Sequence, residues 1–248
     1  MKFKLKTLGC RTNQYETQAL RRQLEILGWK EAENGEIADL CVVNTCTVTE
    51  SADQRSRYQV RHLHQENPGA EIIVTGCSAE RSPQEFAALP GVSRVISNMD
   101  KETLVQDLFP DLEVSPFLID YFKGHTRAFL KVQDGCNSYC SYCVIPFVRG
   151  RSRSKPLETV IDEAKALLDK GYKEIVLTGI NIGDYDGDGK GVSLARLIRE
   201  IDGLPGLERL RVSSIDPDEV DKELCEAIMH GKHTCPSMHI VLQSGSNI

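Results

Sequence analysis

Three cysteines lie within eight residues of the sequence, at Cys136, Cys140 and Cys143. A closed tetrahedral zinc site takes four ligands, usually as two pairs. The further candidates nearest to the three are His125, Cys225 and His230. None of them supplies the second closely spaced pair that a zinc site would need. An iron–sulfur cube held by three thiolates leaves one iron without a protein ligand, and that iron can bind a substrate or cofactor. A zinc knuckle or a chance cluster is the alternative.

A second group of three cysteines is spread along the first third of the chain. Cys10, Cys46 and Cys77 each follow a run of residues with the pattern of a β-strand, and Gly9 and Gly76 precede two of them. The carboxyl ends of parallel strands meet at one edge of a sheet, where ligands bind. We therefore predict that the three thiols meet in space and form a second cluster site. Three buried core cysteines are the alternative, because free cysteine is among the most buried residue types.

The composition restricts the class of protein. Nine cysteines, an odd number, in a sequence without a signal-peptide pattern argue against a disulfide framework. No apolar run is long enough to span a bilayer, so we expect a cytoplasmic protein without a membrane partner. The formal net charge is −6, so any nucleic-acid contact must come from a local basic patch.

The chain alternates predicted strands and helices over residues 1–112. The strands are expected at 3–7, 40–44, 71–75 and 92–96, and the helices at 14–27, 51–64, 83–89 and 101–108. This alternation indicates an α/β domain with a doubly wound parallel sheet of the flavodoxin or Rossmann type. Residues 113–125 contain Pro116 and Gly124, show little periodicity, and are predicted to be a linker.

A second βα series occupies residues 126–248. The strands are expected at 128–132, 174–178, 209–213 and 239–242, and the helices at 157–170, 194–201 and 219–229. The series is typical of a (β/α) barrel, but a closed barrel needs more than four strands. We therefore expect an incomplete barrel in this sequence.

A basic stretch follows the cysteine loop. It contains Arg149, Arg151, Arg153 and Lys155. Such a strip can contact RNA phosphates and position a nucleic acid without reading its sequence. The alternative is an ordinary solvated charged loop.

The C-x3-C-x2-C motif with an aromatic residue, Tyr142, before its last cysteine resembles the signature of the radical S-adenosylmethionine (SAM) superfamily. The resemblance implies that the three thiolates hold a [4Fe–4S] cluster whose open iron binds SAM, with Tyr142 beside this cofactor. It also implies that Thr178 and Gly179 contact the methionyl part of SAM and that Ser213 reaches its ribose. These residues stand at predicted strand ends, where barrel enzymes place their ligands.

Five stretches of the sequence resemble the methylthiotransferase family within that superfamily. They are Leu-Gly-Cys-Arg-Thr-Asn-Gln-Tyr-Glu-Thr (8–17), Val-Val-Asn-Thr-Cys-Thr-Val-Thr (42–49), Lys-Val-Gln-Asp-Gly-Cys (131–136), Ile-Pro-Phe-Val-Arg-Gly-Arg-Ser-Arg-Ser (145–154) and Leu-Gln-Ser-Gly-Ser (242–246). Arg11 and Thr12 match the branch that methylthiolates N6-threonylcarbamoyladenosine at position 37 of tRNA. The resemblance implies an auxiliary [4Fe–4S] cluster on Cys10, Cys46 and Cys77, and the use of two SAM molecules.

The resemblance also implies partners and missing parts. The partners would be tRNA, an electron donor such as flavodoxin or ferredoxin, and a sulfur donor. Family members complete the barrel and add a C-terminal TRAM domain, neither of which we find in this sequence. Two alternatives stay open: another branch, acting on isopentenyladenosine in tRNA or on a ribosomal protein, and a truncated, catalytically incomplete iron–sulfur fragment.

Overall fold

The computed structural model describes residues 1–242 and 244–246 and divides into two compact units. The first contains Met1–Leu118 and Cys140–Gly150, and the second contains Ile119–Tyr139 and Arg151–Ile248. The division at Leu118 falls within the predicted linker. The segment Cys140–Gly150, which we placed in the second domain, clusters instead with the first unit. Gln243, in the motif at 242–246, lies outside the described residues.

The first unit alternates strands and helices as predicted. Its elements are β1 (Lys2–Thr7), α1 (Arg11–Ile26), β2 (Lys30–Glu31), β3 (Leu40–Thr45), α2 (Glu50–Glu66), β4 (Glu71–Gly76), α3 (Cys77–Arg81), α4 (Pro83–Ala87), β5 (Val92–Val95), a 3₁₀ turn (Lys101–Thr103), α5 (Leu104–Leu108) and α6 (Ile145–Arg149).

The strands of the first unit form one parallel sheet in the order β2-β1-β3-β4-β5. Every residue of β3 is buried, because helices cover both faces of a parallel sheet and its central strands become continuous apolar runs. Val43 packs with Val60 in one core cluster, while Val42 packs with Leu20 in another. Alternate residues of β3 therefore belong to two separate cores, which confirms the doubly wound fold.

Short elements were the hardest to predict in this unit. The helix expected at 101–108 is a 3₁₀ turn followed by α5, and the helix α3 was not predicted. α3 begins directly after Gly76, whose positive φ of 97° turns the chain sharply at the end of β4. A five-residue helix is too short to show the 3.6-residue periodicity on which sequence prediction depends.

The second unit carries the second βα series. Its elements are β6 (Ala128–Lys131), β7 (Gln133–Asp134), β8 (Arg153–Ser154), α7 (Leu157–Asp169), β9 (Glu174–Thr178), a 3₁₀ turn (Ile182–Asp184), α8 (Leu194–Asp202), β10 (Arg209–Val212), β11 (Ser214–Ile215), a 3₁₀ turn (Pro217–Glu219), α9 (Lys222–Met229) and β12 (His239–Ile240).

Three strands of this unit form a parallel sheet in the order β10-β9-β6, with β11 and β12 as a separate parallel pair. The last predicted strand therefore pairs with β11 rather than with β10. The helix expected from residue 219 begins later, because the Asp221 side chain accepts a hydrogen bond from Leu224 N at 2.7 Å and caps α9. Within the described ranges, no helix is both long and apolar enough to cross a membrane.

Candidate functional site

The three cysteines predicted to meet at one sheet edge follow neighbouring strands of the first unit. Cys10 comes after β1 at the N-cap position of α1, Cys46 follows β3, and Cys77 is the first residue of α3 after β4. Cys46 and Cys77 are 2% and 3% exposed, whereas Cys10 is exposed. A charge on Cys10 would raise the pKa of both other thiols, so the three lie within electrostatic reach of one another.

Two glycines allow the strand ends to approach each other. Gly9 has a φ of 92°, and a Cβ there would lie 2.6 Å from the Cβ of Cys46. At Gly76 a Cβ would lie 2.5 Å from the backbone N and O of Thr45. In the structure the two glycines make room for the neighbouring strand ends, because any side chain would collide there.

Arg149 is not part of a solvent-facing phosphate strip, which corrects the prediction for this residue. Its side chain is 0% exposed, and its Nε donates a hydrogen bond to Cys77 Sγ at 3.2 Å. Its Nη2 donates to Asn13 Oδ1. A buried guanidinium that is hydrogen-bonded within the protein cannot reach an RNA phosphate. The regular spacing with Arg151 and Arg153 was misleading because Arg149 ends the helix α6, which belongs to the first unit.

A buried charge network lies beside the cysteines. Glu16 Oε1 accepts a hydrogen bond from Arg149 Nη1 at 2.9 Å, and Glu16 Oε2 accepts one from Lys101 Nζ at 2.6 Å. All three side chains are buried. Asn44 Nδ2 also donates to Glu16 Oε2, at 3.3 Å. Two cations therefore share one carboxylate at this edge of the sheet.

The sequence prediction did not find Glu16 or Lys101. A signal for Glu16 does exist, because Asn13 and Glu16 are three residues apart on α1 and so lie on one face of the helix, directly after Cys10. Asn13 Nδ2 donates to Leu8 O at 2.7 Å and to Thr45 O at 2.9 Å, which ties the ends of β1 and β3 together. Nothing in the local pattern around Lys101 indicates that it is buried.

The thiols experience opposing electrostatic effects. Burial raises the pKa of Cys46 and Cys77, while the positive charge of Arg149 lowers the pKa of both. Lys101 lowers the pKa of Cys77 further. Burial in turn lowers the pKa of Lys101, an effect that the charge of Glu16 opposes. The cations thus favour the thiolate, the form of cysteine that binds iron.

The residues at this edge fit an iron–sulfur cluster. Thiolates are the ligands of such clusters, and a cube bound by three thiolates is an anion that can balance the cation in excess of Glu16. A cavity of about 280 Å³ adjoins Cys46 and is lined also by Leu8, Gly9, Thr49 and Arg55. In the part of the chain that the structure describes, no group of three or more Cys, His, Asp or Glu residues stands close enough to hold a metal ion as placed. That finding concerns a single ion, whereas the three thiolates of a cube each bind a different iron.

The residues of the C-x3-C-x2-C motif belong to a loop without regular structure. Cys136 follows β7 in the second unit, and its Sγ accepts a hydrogen bond from Ser138 N at 3.4 Å. Cys140 and Cys143, in the first unit, enclose a tight turn in which Cys143 N donates to Cys140 O at 2.9 Å. All three thiols are half-buried. Their cluster stays a prediction from the sequence spacing.

Tyr142, predicted to lie beside the cofactor, is 68% exposed. It lines a cavity of about 610 Å³ in the first unit, together with Thr47, Arg57 and Arg81. Cys46 immediately precedes Thr47 in the chain. Tyr142 is therefore accessible to a ligand, and it belongs to the unit that carries the strand-end cysteines.

The other residues predicted to contact SAM lie at the carboxyl ends of β9 and β10. Thr178 is buried, and its carbonyl accepts a hydrogen bond from Val132 N at 2.9 Å. The Ser213 hydroxyl donates to Leu177 O at 2.6 Å. A Cβ at Gly179 would lie 2.9 Å from the backbone O and the side-chain Oε1 of Gln133, so only glycine fits there.

Gln133 is a positioning residue that the sequence prediction missed. Its buried side-chain Oε1 accepts hydrogen bonds from Ile180 N at 3.0 Å and Asn181 N at 2.9 Å. Its Nε2 donates to Gly135 O at 2.8 Å. One side chain therefore joins the loop after β9 to the segment that leads into Cys136.

A pair of carboxyl groups lies near the same loop. Asn181 Nδ2 donates to Glu219 Oε1 at 2.6 Å. Burial and the neighbouring Asp184 raise the pKa of Glu219 to about 7, while the hydrogen bond from Asn181 opposes the shift. The Glu219 carboxyl therefore stays protonated at moderately acidic pH.

The remaining basic residues differ in their surroundings. Arg151 is exposed, and its guanidinium lies 5.7 Å from the ring centre of Tyr139. Arg153 pairs with Asp134 at 3.0 Å, and Lys155 pairs with the buried Glu163 at 2.8 Å. Of the four predicted RNA contacts, Arg151 is therefore the best placed, and its RNA contact stays a prediction.

Comparisons with known proteins find a matching family for each half of the chain. Residues 2–97 match the "Uncharacterized protein family UPF0004", and residues 130–248 match the "Radical SAM superfamily". The chain is 52% identical, over 99% of its length and 58% of the relative's, to "Threonylcarbamoyladenosine tRNA methylthiotransferase MtaB" of Chlamydia pneumoniae. It is 31% identical, over 98% of its length and 59% of the relative's, to "tRNA-2-methylthio-N(6)-dimethylallyladenosine synthase" of Thermodesulfovibrio yellowstonii. The chain thus spans a little under three fifths of these relatives.

The fold also resembles a solved structure. This is the radical S-adenosylmethionine methyltransferase TsrM from Kitasatospora setae, with a TM-score of 0.66 over 93% of this chain and 59% of that chain. The two sequences are 15% identical, so the likeness concerns the fold alone. The two family matches, the near full-length similarity to a methylthiotransferase and the cysteine motifs agree, and the chain belongs to the radical SAM methylthiotransferase family.

Proposed function

We propose that this chain carries the catalytic core of an enzyme that inserts a methylthio group at C2 of N6-threonylcarbamoyladenosine at position 37 of tRNA. The observation that best supports the proposal is the set of three thiols after neighbouring strands, with a buried cationic network beside them, in a chain that also contains the C-x3-C-x2-C motif. The substrate assignment rests on the higher identity to the threonylcarbamoyladenosine enzyme than to the dimethylallyladenosine enzyme.

Each cysteine triad would hold one [4Fe–4S] cluster. Cys10, Cys46 and Cys77 are the proposed ligands of the auxiliary cluster, and Cys136, Cys140 and Cys143 those of the SAM-binding cluster. When bound, the two clusters and two molecules of SAM supply the radical and the methylated sulfur that acid–base chemistry at an aromatic C–H cannot provide.

The residues of the chain would hold and orient these groups. Gln133 fixes the loop after β9 through the backbone of Ile180 and Asn181, and so holds Thr178 and Gly179 in place for SAM. The hydroxyl of Ser213 is held by Leu177 O at the end of the adjacent strand. A side chain that is buried and fully hydrogen-bonded cannot change rotamer easily, so the loop is set before the cofactor arrives.

The proposed RNA contact depends on exposed positive charge. Arg151 would contact phosphate, and Tyr142 is exposed enough to contact a ligand. A protein electron donor, such as flavodoxin or ferredoxin, and a sulfur donor would complete the reaction. They are proposed as partners because reductive cleavage of SAM consumes an electron and each methylthio group consumes one sulfur.

Nucleoside analysis of tRNA tests the proposal. Deleting the gene should remove the 2-methylthio group from threonylcarbamoyladenosine and leave isopentenyladenosine unaffected. The wild-type gene should restore the modification, whereas a gene with Cys46→Ala or Cys140→Ala should not. Loss of the group from isopentenyladenosine instead would contradict the proposed substrate.

A reconstitution experiment separates the enzyme from a non-catalytic fragment. The anaerobically reconstituted chain should hold about eight iron atoms, four for each cube. After reduction it should convert SAM to 5′-deoxyadenosine. A chain that holds both clusters but forms no 5′-deoxyadenosine would support the incomplete-fragment alternative.

A further inference from the structure

The buried guanidinium of Arg149 makes contacts that ion pairing alone does not explain. Its Nη1 donates to Glu16 Oε1 at 2.9 Å, its Nη2 donates to Asn13 Oδ1, and its Nε donates to Cys77 Sγ at 3.2 Å. Three different nitrogens thus have three different partners. The planar fork of the guanidinium fixes the direction of every N–H, so the bond to sulfur has a defined geometry.

Burial of this charge is costly without an anion. Moving a cation out of water has a large desolvation cost, which an ion pair must offset. Glu16 provides one negative charge, but Lys101 Nζ also binds it, at 2.6 Å. A thiolate at Cys77, 3.2 Å from Arg149 Nε, is the next anion within reach.

We propose that Arg149 is a positioning residue for the auxiliary cluster, donating an N–H···S hydrogen bond to the Cys77 thiolate and stabilising the more negative, reduced state of the cluster. The inference rests on the proposed function, because it requires that Cys77 ligate iron. Hydrogen bonds to the sulfurs and the net charge around a cluster are the means by which proteins set its reduction potential.

The position of Arg149 in the sequence connects the two cysteine triads. Arg149 ends the short helix that begins two residues after Cys143, a proposed ligand of the other cluster. Residues 140–150 cluster with the first unit, and Asn98 Nδ2 anchors them there by donating to Val148 O at 2.7 Å. The loop with two cysteines of one triad thus provides the hydrogen-bond donor for a cysteine of the other.

The test measures the midpoint potential of the auxiliary cluster in the full chain. A background with Cys136→Ala, Cys140→Ala and Cys143→Ala leaves only the auxiliary triad for reconstitution. In this background Arg149→Gln should shift the potential to a more negative value. We expect at least a tenfold change in the ratio of oxidised to reduced cluster, which is about 59 mV for a one-electron couple.

Lys101→Gln is the matched control. This variant removes the other buried positive charge that pairs with Glu16, but Lys101 donates its hydrogen bond to Glu16 rather than to a cysteine. Its shift should be clearly smaller than that of Arg149→Gln. Equal shifts, or none, would overturn the proposal, because the hydrogen bond to Cys77 would then have no effect of its own.

Arg149→Lys addresses the risk that Arg149→Gln does not fold. Lysine keeps the charge but has no Nε–H in the guanidinium plane to donate to Cys77. The iron–sulfur stretching bands in the resonance Raman spectrum should shift on transfer to D₂O in the parent protein, and this shift should be smaller in Arg149→Lys. Backbone N–H groups of Thr47 and Val48 bond to Cys46 and keep part of the shift in both proteins. A D₂O shift of unchanged size in Arg149→Lys would contradict the proposal.

Iron uptake by the background without the second triad separates the role of Arg149 from the proposed function. If the background without the second triad took up no iron, the auxiliary cluster itself, and with it the proposed function, would fail. If it took up about four iron atoms and none of the Arg149 variants changed the potential or the spectrum, only the role of Arg149 would be wrong.

Discussion

The two cysteine triads differ in how the chain brings their three members together. Cys136, Cys140 and Cys143 stand on one loop, are half-buried, and can be recognised from spacing alone. Cys10, Cys46 and Cys77 are far apart in sequence and follow separate strands, and two of them are buried beside a charge network. A local motif therefore needs little from the fold, whereas the dispersed triad depends on sheet order, two glycines and buried ions.

This difference determines how strongly the geometry of each triad depends on the positions of the strands. A loop motif keeps its ligands close together even if a nearby strand moves, because a few peptide bonds connect them. The dispersed triad has no such link, and three strands must stay in register to keep it together. The buried contacts among Asn13, Glu16, Lys101 and Arg149 supply part of that constraint.

The largest expected effect is the loss of one cluster from either triad. Cys77→Ala should halve the iron content after anaerobic reconstitution, from about eight to about four atoms per chain, and Cys140→Ala should do the same. Cys225→Ala, which alters a half-buried cysteine outside both triads, is the control and should keep the full content. Iron and sulfide analysis measures the result. Full iron content in Cys77→Ala would remove the dispersed triad from the proposal.

The second prediction concerns the buried carboxylate beside the dispersed triad. Glu16→Gln leaves Lys101 and Arg149 without their anion, and breaking a buried ion pair in this way typically costs about 3–5 kcal/mol. Chemical denaturation should detect this loss of unfolding free energy. Glu200→Gln, which removes the exposed pair with Arg196, should cost less than about 1 kcal/mol. Similar costs for the two variants would show that the network does not stabilise the fold.

The third prediction separates backbone strain from crowding at the triad. Gly9→Ala forces alanine into a positive φ and places its Cβ against Cys46, whereas Gly28→Ala has a similar φ of 83° and open space. Strain alone should cost about 1–2 kcal/mol at either position. Gly9→Ala should cost more and should also reduce iron binding. Equal melting temperatures for the two variants would contradict the close packing of Gly9 and Cys46.

The smallest expected effect is a pH dependence of stability in the second unit. There, carboxyl groups rather than cations lie near the ends of the strands. The pKa of Glu219 is raised to about 7 from an ordinary value of 4.5, so the folded chain binds more protons between these values than the unfolded chain does. Stability should therefore fall as pH rises from about 4.5 to about 7, by about 1 kcal/mol once solvent screening is allowed for.

Denaturation at several pH values compares the parent chain with Glu219→Gln, which cannot titrate. The parent should lose stability relative to this variant across the stated range. Asp184→Asn removes the charge beside Glu219 and should make this loss of stability with rising pH smaller. A difference between parent and Glu219→Gln that does not change with pH would exclude the raised pKa.

Much of the fold followed from periodicity and motifs. The strands at β3 and β9 and the long helices were predicted closely, because they combine apolar periodicity with clear ends. The two-residue strands β2, β7, β8 and β11 and the five-residue helices α3 and α6 were missed, because so few residues show no periodicity. Gln133 was quoted as part of a motif, yet its role was not predicted, because its partners Ile180 and Asn181 are almost fifty residues away.

The sequence by itself determined the chemistry of this protein: six cysteines in two sets, the spacing of one set, and strand patterns before each member of the other. The tertiary structure decided which side chains surround those thiols. It buries Arg149, which the sequence pattern placed with exposed arginines, and brings it to Glu16, 133 residues away. The physical reason is that a sequence pattern records neighbours along the chain, whereas burial and ion pairing depend on which distant strands and helices pack together.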